Sequence, residues 1–258
     1  MSTARRVVLG LVGLLGFAVL LEVAPRIGLV PERYAPPTSQ ILGTLAGQMS
    51  EERFWLAVLD TLRTWLFGLA VAVALGVVIG VLVGTVPVLR AATSSTIEFL
   101  RPIPSVALIP LVVVLYGSTI TSTLVLVVYA AFWQVLVQVL HGVADIDPVA
   151  RDTARAYRLG RWHRVRYLVW PTALPYVATG VRLAATVALI LAITGELVIG
   201  SPGLGQEIAT ARASGAVAAM YGLVVVTGLL GVVANLLTRA AERRALHWHP
   251  SMRTEAPT

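Results

Sequence analysis

The chain has 258 residues, 57% hydrophobic and 13% charged, with a mean hydropathy of +0.82, whereas an ordinary soluble domain is about 45–50% apolar and about 25% charged. All 20 basic residues are arginine and cysteine is absent, which excludes a Walker A loop, a lysine Schiff base, a Ser-Lys dyad, thiol nucleophiles, Cys-based zinc sites, iron–sulfur clusters and disulfides. The composition is that of an integral membrane protein. Its formal charge of +7 points to orientation across a bilayer rather than to nucleic acid.

At ~20 apolar residues per spanning helix, this length holds about six spans in one integral domain. The first apolar run, Val7 to Val23, follows Arg5 and Arg6 and is broken by Pro25. Glu22 and Pro25 at the junction disfavour a cleavable signal and favour a retained helix. Pro31, Pro36 and Pro37 make the next segment a loop, with a short surface helix near Ser39 to Gln48. Asp60 and Arg63 predict a lead-in helix at the interface over Glu51 to Leu62, ahead of span two over Thr64 to Val86. Gly76, Gly80 and Gly84 recur every four residues, so they share one helix face and let another backbone approach.

After Pro87 to Arg101, the apolar stretch from Ile103 to Leu140 is interrupted at Gly117-Ser118-Thr119. As one helix it would run roughly 57 Å, nearly twice the ~30 Å hydrocarbon layer, so it folds back as spans three and four. Pro104 and Pro110 make span three short and broken. The polar segment from His141 to Trp170 lies outside the hydrocarbon. Span five covers about Thr172 to Ile199, a turn-rich Gly200 to Gly205 follows, and span six occupies about Val217 to Leu237. The expected organisation is a first helix and extracytoplasmic loop over 1–52, a transmembrane body over 53–245 and a cytoplasmic tail over 246–258.

Arginine counts orient the chain. Arg5, Arg6, Arg90, Arg101, six arginines between 151 and 166, Arg239, Arg243, Arg244 and Arg253 fall on one side, 14 of the 20. Short arginine-rich loops stay cytoplasmic, so six spans with both termini inside satisfy the bias. A five-span chain would strand one basic segment outside.

The 142–170 loop is the most informative segment. Asp152 to Tyr157 and Trp162 to Val169 form two helical pieces, Gly160 permits a turn between them, and Pro171 opens the next span. Such a helix–turn–helix is either a docking surface for a soluble partner or a basic loop held against anionic lipid headgroups. The run Asp152-Thr153-Ala154-Arg155-Ala156-Tyr157-Arg158-Leu159-Gly160-Arg161-Trp162, with Leu168-Val169-Trp170-Pro171-Thr172-Ala173-Leu174-Pro175, resembles the EAA loop of inner-membrane permeases of type I ABC importers. The similarity runs from about Thr61 onward and is to the branch serving sulfonates, taurine, nitrate and related solutes. Arg101-Pro102-Ile103-Pro104, Ile109-Pro110-Leu111, Gly180-Val181-Arg182-Leu183-Ala184, Gly195-Glu196-Leu197 and Gly203-Leu204-Gly205 carry it in order along the chain. Aligned on Trp162 and Pro171, Asp152 stands where the family has glutamate and Arg158 where it has glycine, with Gly160 two positions late. The turn is then expected to move to Gly160 or to be reshaped.

The resemblance implies an all-α type I ABC importer permease with a cytoplasmic coupling helix between spans four and five, docked on an ATPase through residues 152–161. It implies a second permease subunit, as a homodimer, two cytoplasmic ATP-binding subunits, an extracytoplasmic solute-binding protein and a bacterial inner membrane. The missing lysine fits, because nucleotide chemistry then sits on another chain. Glu196, near the outer end of span five, matches a family glutamate and is a gate or structural residue, with solute contact as the lesser alternative. Gln134 and Gln138, one turn apart on span four, either line the path or bond neighbouring helices. Arg182 is ~21 Å from Glu196 along one helix and so snorkels to the inner interface instead of pairing with it. His141, His163, His247 and His249 have no metal-site spacing, and neither a metal nor another cofactor is expected. The competing reading is a secondary transporter or channel not driven by ATP; those commonly show internal repeats and buried titratable groups, and here Glu196 is the one acid expected inside spans two to six.

Overall fold

Nothing in the long apolar runs favours anything but helix, since in a bilayer every backbone polar group must be satisfied within its own segment. The computed structural model describes residues 3–247, and among these every regular element is helical. Most of the expected tail, with His249 and Arg253, lies outside the described residues.

Helix α1 (Thr3–Arg26) passes through Pro25 instead of ending before it. A proline in the last turn forfeits a single backbone bond. The stop is Gly28, at φ +78°: its N–H donates to the Pro25 carbonyl (3.0 Å) and that of Leu29 to Ala24 (3.1 Å). The short helix expected near Ser39 is α2 (Thr38–Gln48).

Helix α3 (Glu52–Thr85) is continuous for 34 residues, about 51 Å, so the lead-in helix and span two are one element. The charges that marked a boundary are absorbed along the helix. Asp60 pairs with Arg63 at 3.4 Å, while Thr61 and Thr64 turn inward and are buried.

Pro87 to Arg101, given no element from sequence, forms α4 (Pro87–Leu100). A 3-10 turn (Ser105–Leu108) and α5 (Ile109–Tyr116) follow at a bend of 84°. Taken together, the bent pair is long and apolar enough for the broken third span expected from the prolines. Gly117, at φ +72°, then turns the chain into α6 (Ile120–Ala144). Counting that pair once, six segments among the described residues are long and apolar enough to cross a bilayer. Helix α7 (Pro148–Ala156) precedes α8 (Arg161–Arg164), a π-helical turn (Val165–Val169) and α9 (Trp170–Ile199), which run on as one 39-residue span candidate that begins well before the expected Thr172. Pro171 explains the π turn: it lacks an N–H and its ring crowds the preceding turn, and one extra residue in that turn relieves both. Helices α10 (Leu204–Ala213) and α11 (Val217–Ala245) complete the chain, α11 continuing past the expected Leu237.

The core is α6 held between α3 and α9. Gly76, Gly80 and Gly84 meet Val135, Val139 and Val143 of α6 one for one, and Gly68 and Ala72 extend the same face of α3. A Cβ on Gly76 or Gly80 would stand 2.7 Å from the facing valine. On its other side α6 packs against Gly180, Ala184, Ala188, Ala192 and Gly195 of α9; a Cβ on Gly195 would meet Thr123 at 2.7 Å. Leu126, Val127, Val135 and Val139 are consequently fully enclosed. Gly80→Leu is predicted to lower stability in detergent by about 1–3 kcal/mol through overpacking, and Val139→Ala on the facing helix is expected to restore part of it, both measured by thermal unfolding.

Candidate functional site

Two polar assemblies lie at opposite ends of the α3–α6–α9 core. The first is the basic turn between α6 and α9. Pro148 opens α7 at a position where a missing N–H does no harm, and the Asp147 carboxylate accepts from Val149 N–H at 2.9 Å to cap it. Asp152 pairs with Arg155 at 3.0 Å, both exposed. The helix closes with Leu159 N–H donating to Ala154 and Arg158 N–H to Arg155, a pattern that requires a left-handed residue at position 158. Arg158 adopts it, at φ +51°. The turn therefore neither moves to Gly160 nor changes shape: the arginine takes the backbone conformation a glycine would hold. Gly160 sits at φ −61° and starts α8. The guanidinium of Arg164 donates to the Leu159 carbonyl at 2.9 Å and ties the two pieces together.

Within 152–161 the residues differ in what they offer. Ala154 is buried and Leu159 half-buried, so these two support the turn. Asp152, Thr153, Arg155, Ala156, Tyr157, Arg158, Gly160 and Arg161 are exposed, Tyr157 at 78%. An exposed tyrosine among arginines is a surface suited to a protein partner. Behind it the helix ends are pinned. Tyr176 of α9 donates to Asp145 at 2.8 Å, and a Cβ on Gly142 of α6 would stand 2.9 Å from the Ala173 backbone.

The second assembly surrounds Glu196, which is fully buried at the far end of α9. Its Oε2 accepts from the Thr61 hydroxyl (2.8 Å) and from Gly205 N–H (3.0 Å), while Thr61 Oγ1 accepts from Leu204 N–H (2.9 Å). Beside it Thr123 of α6 and Ser201 of the loop share a buried hydrogen bond at 2.7 Å. Gly203, at φ +148°, lies so close that a Cβ would collide with the Glu196 carboxylate, and one on Gly205 would collide with the Ile193 carbonyl. One carboxylate thus joins α3, α9 and the start of α10. Thr61 carries no local signal for this role, because its partners lie more than a hundred residues away in sequence.

The remaining candidates are spread out. Gln134 and Gln138 are half-buried, with Gln138 packed over Gly180, so the pair lies ~24 Å along α9 from Glu196. Arg182 does not simply snorkel to the interface; it forms an ion pair with Glu242 of α11 at 3.3 Å. A further acid, Glu98, lies on α4, in the first half of the bent pair.

A bundle of helices long and apolar enough to cross a bilayer, with a bent pair in third place and an exposed basic turn continuous with the fifth, has the form of a multi-pass membrane protein. The profile of binding-protein-dependent transport system inner membrane components matches residues 44–247, and the chain belongs to that family. It is a multi-pass inner-membrane protein and a permease subunit of an ABC importer. It is 29% identical over 240 residues to the taurine transport system permease protein TauC of Escherichia coli (strain K12), covering 90% of this chain and 87% of that protein. A putative aliphatic sulfonates transport permease protein of Bacillus subtilis (strain 168) is 26% identical over 244 residues, covering 93% and 88%. The fold is similar to that of a chain in inward-facing crystals of the MetNI methionine ABC transporter, at TM-score 0.65 and 20% identity, covering 76% of this chain and 99% of that one.

Glu196→Ala strands the Thr61 hydroxyl and Gly205 N–H, so we predict a loss of about 1–3 kcal/mol for each buried group left unpaired, with a smaller loss for Glu196→Gln. Arg158→Gly relieves a left-handed arginine and is predicted to raise stability by about 1 kcal/mol. Thermal unfolding in detergent checks both.

Proposed function

We propose that this subunit imports a small solute of the sulfonate, taurine or nitrate kind, with the basic end of the bundle in the cytoplasm and both termini there. Residues 53–245 form the transmembrane body. Two copies form the path, an extracytoplasmic binding protein delivers solute, and two cytoplasmic subunits hydrolyse ATP. The names of the curated relatives support the solute class. The arginine-rich ends of the helices support the orientation, since such segments stay cytoplasmic.

The observation that carries the reading is the continuity of the basic turn with the fifth span. A partner gripping the exposed face of α7 and the Tyr157–Arg161 turn would move a helix that runs without a break from Arg161 to Ile199. Closure of the ATPase pair would then tilt α9, and α6 packed along it, switching access from outside to inside as a rigid-body exchange between two states. Glu196 acts in this scheme as a clasp or gate at the outer end. Gln134 and Gln138 are the polar groups offered to the path.

The test is reconstitution with the ATPase and binding protein. Arg155→Glu with Arg161→Glu is predicted to lower solute-stimulated ATP turnover and uptake at least about tenfold, in line with opposing charge across a steered interface, while the bundle stays folded by size-exclusion chromatography. Undiminished coupled uptake in that variant would contradict the reading. Ala154 is the poorer target, because its substitution disturbs the turn itself.

A further inference from the structure

The third span breaks at Arg101-Pro102-Ile103-Pro104, and its surroundings fix how deep the break lies. Pro102 and Pro104 have no N–H, so the Glu98 and Leu100 carbonyls lose their helical donors. The Leu100 carbonyl is taken instead by the Tyr129 hydroxyl at 2.9 Å and by Ile103 N–H at 3.2 Å. Tyr129 lies ~14 Å along α6 from Ile120 and ~22 Å from Ala144. The break therefore lies level with the middle third of α6, a helix long and apolar enough to span a bilayer. The arginine count had assigned Arg101 to the cytoplasmic loop; it directly follows Leu100 and stands at this depth.

Arg101 is exposed, and among the described residues its guanidinium makes no ion pair or hydrogen bond, its backbone N–H alone being bonded, to the Ile97 carbonyl at 3.0 Å. The side chain of Glu98, exposed one turn earlier, also makes none. A guanidinium facing lipid at mid-depth is strongly disfavoured, and its side chain is too short to snorkel to either surface from there. It needs a wet or protein-lined surface. A second donor without a partner stands one turn along α6 from Tyr129. Trp133 follows Tyr129 by one turn on the same face of α6, with ring centroids 5.9 Å apart. Its side chain is buried, at 9% exposure, and its indole N–H has no acceptor. Guanidinium and indole only donate. The side chains left uncommitted at the break, Glu98 apart, thus call for acceptors and, at Arg101, for negative charge.

We propose that the break in the third span is an anion-binding station of the translocation path, with Arg101 as its charged contact, for a solute carrying a compact oxyanion such as a sulfonate or carboxylate. The proposal rests on the permease reading and deepens it by naming where the anion is recognised. One exposed cation with few partners holds an anion weakly, which a path requires, since the solute must leave again. Glu98, a turn away, limits that hold further and disfavours a second anion on the same subunit.

The natural chain has no cysteine, so single thiols can report on this surface in the full complex. Val106, 49% exposed in the 3-10 turn, and Ala107, also exposed, are the positions. In Val106→Cys and Ala107→Cys, a sulfonate-bearing methanethiosulfonate reagent is expected to react about tenfold faster, relative to its trimethylammonium counterpart, than when Arg101→Gln is added, because a cleft of one charge sign concentrates the opposite ion. Arg101→Lys should keep much of the preference, and ethanesulfonate should slow labelling only where Arg101 or its lysine replacement is present. An unchanged ratio in Arg101→Gln, or thiols at both positions that react with neither reagent, would overturn the station. So would loss of the dimer in Arg101→Gln with rescue by Glu98→Arg plus Arg101→Glu, which would make Arg101 half of an ion pair between copies. ATP-driven taurine uptake by the Val106→Cys complex separates the two claims. Charge preference without ATP-driven uptake would count against the permease reading alone, and uptake without charge preference against the station alone.

Discussion

Lipid tails are as apolar as leucine, so the α3–α6–α9 core gains little from burying hydrocarbon and must be held by close contact between backbones. That constraint explains why the face of α3 is Gly68, Ala72, Gly76, Gly80 and Gly84, and why α9 answers with Gly180, Ala184, Ala188 and Ala192. Valines of α6 fill the grooves of the first face, leaving no room for even one added methyl at Gly76 or Gly80. With α6 enclosed on both sides, the three helices move as a unit.

A rigid core makes events at one end felt at the other. At the basic end, the π turn before Pro171 carries the helix through a proline that would otherwise break it, so the exposed turn and the fifth span are mechanically one piece. Tyr176 bonded to Asp145, and the tight approach of Gly142 to Ala173, lock the base of α6 to the base of α9. At the opposite end Glu196 draws Thr61, Leu204 and Gly205 together, so a tilt of α9 is felt by α3 and α10.

Spanning runs, the broken third span, the glycine stripe and the basic turn were legible in the sequence, because each rests on a local property: apolar length, proline position, four-residue spacing or charge density. Errors arose where tertiary partners overrule local cues. Asp60 and Arg63 resemble a helix boundary, yet they pair with each other along one continuous helix. Arg101 resembles a loop arginine, yet the Tyr129–Leu100 bond holds the residue before it against α6. The ion-pair partner of Arg182 and the Thr61 hydroxyl bonded to Glu196 are 60 and 135 residues away, beyond any local pattern. Arg158 is the instructive intermediate case. Its departure from the expected glycine was visible, but whether the backbone would yield or the side chain would bear the strain depended on bonds from Leu159 to Ala154 and from Arg158 to Arg155.

The account stands or falls on mechanical continuity between the basic turn and the fifth span. Inserting two glycines between Tyr167 and Leu168 cuts that continuity while leaving the docking face intact. In the reconstituted complex, measuring solute imported per ATP hydrolysed should show an assembled complex that still turns over ATP but imports almost nothing. An insertion variant that imports solute at the parental ratio would contradict it.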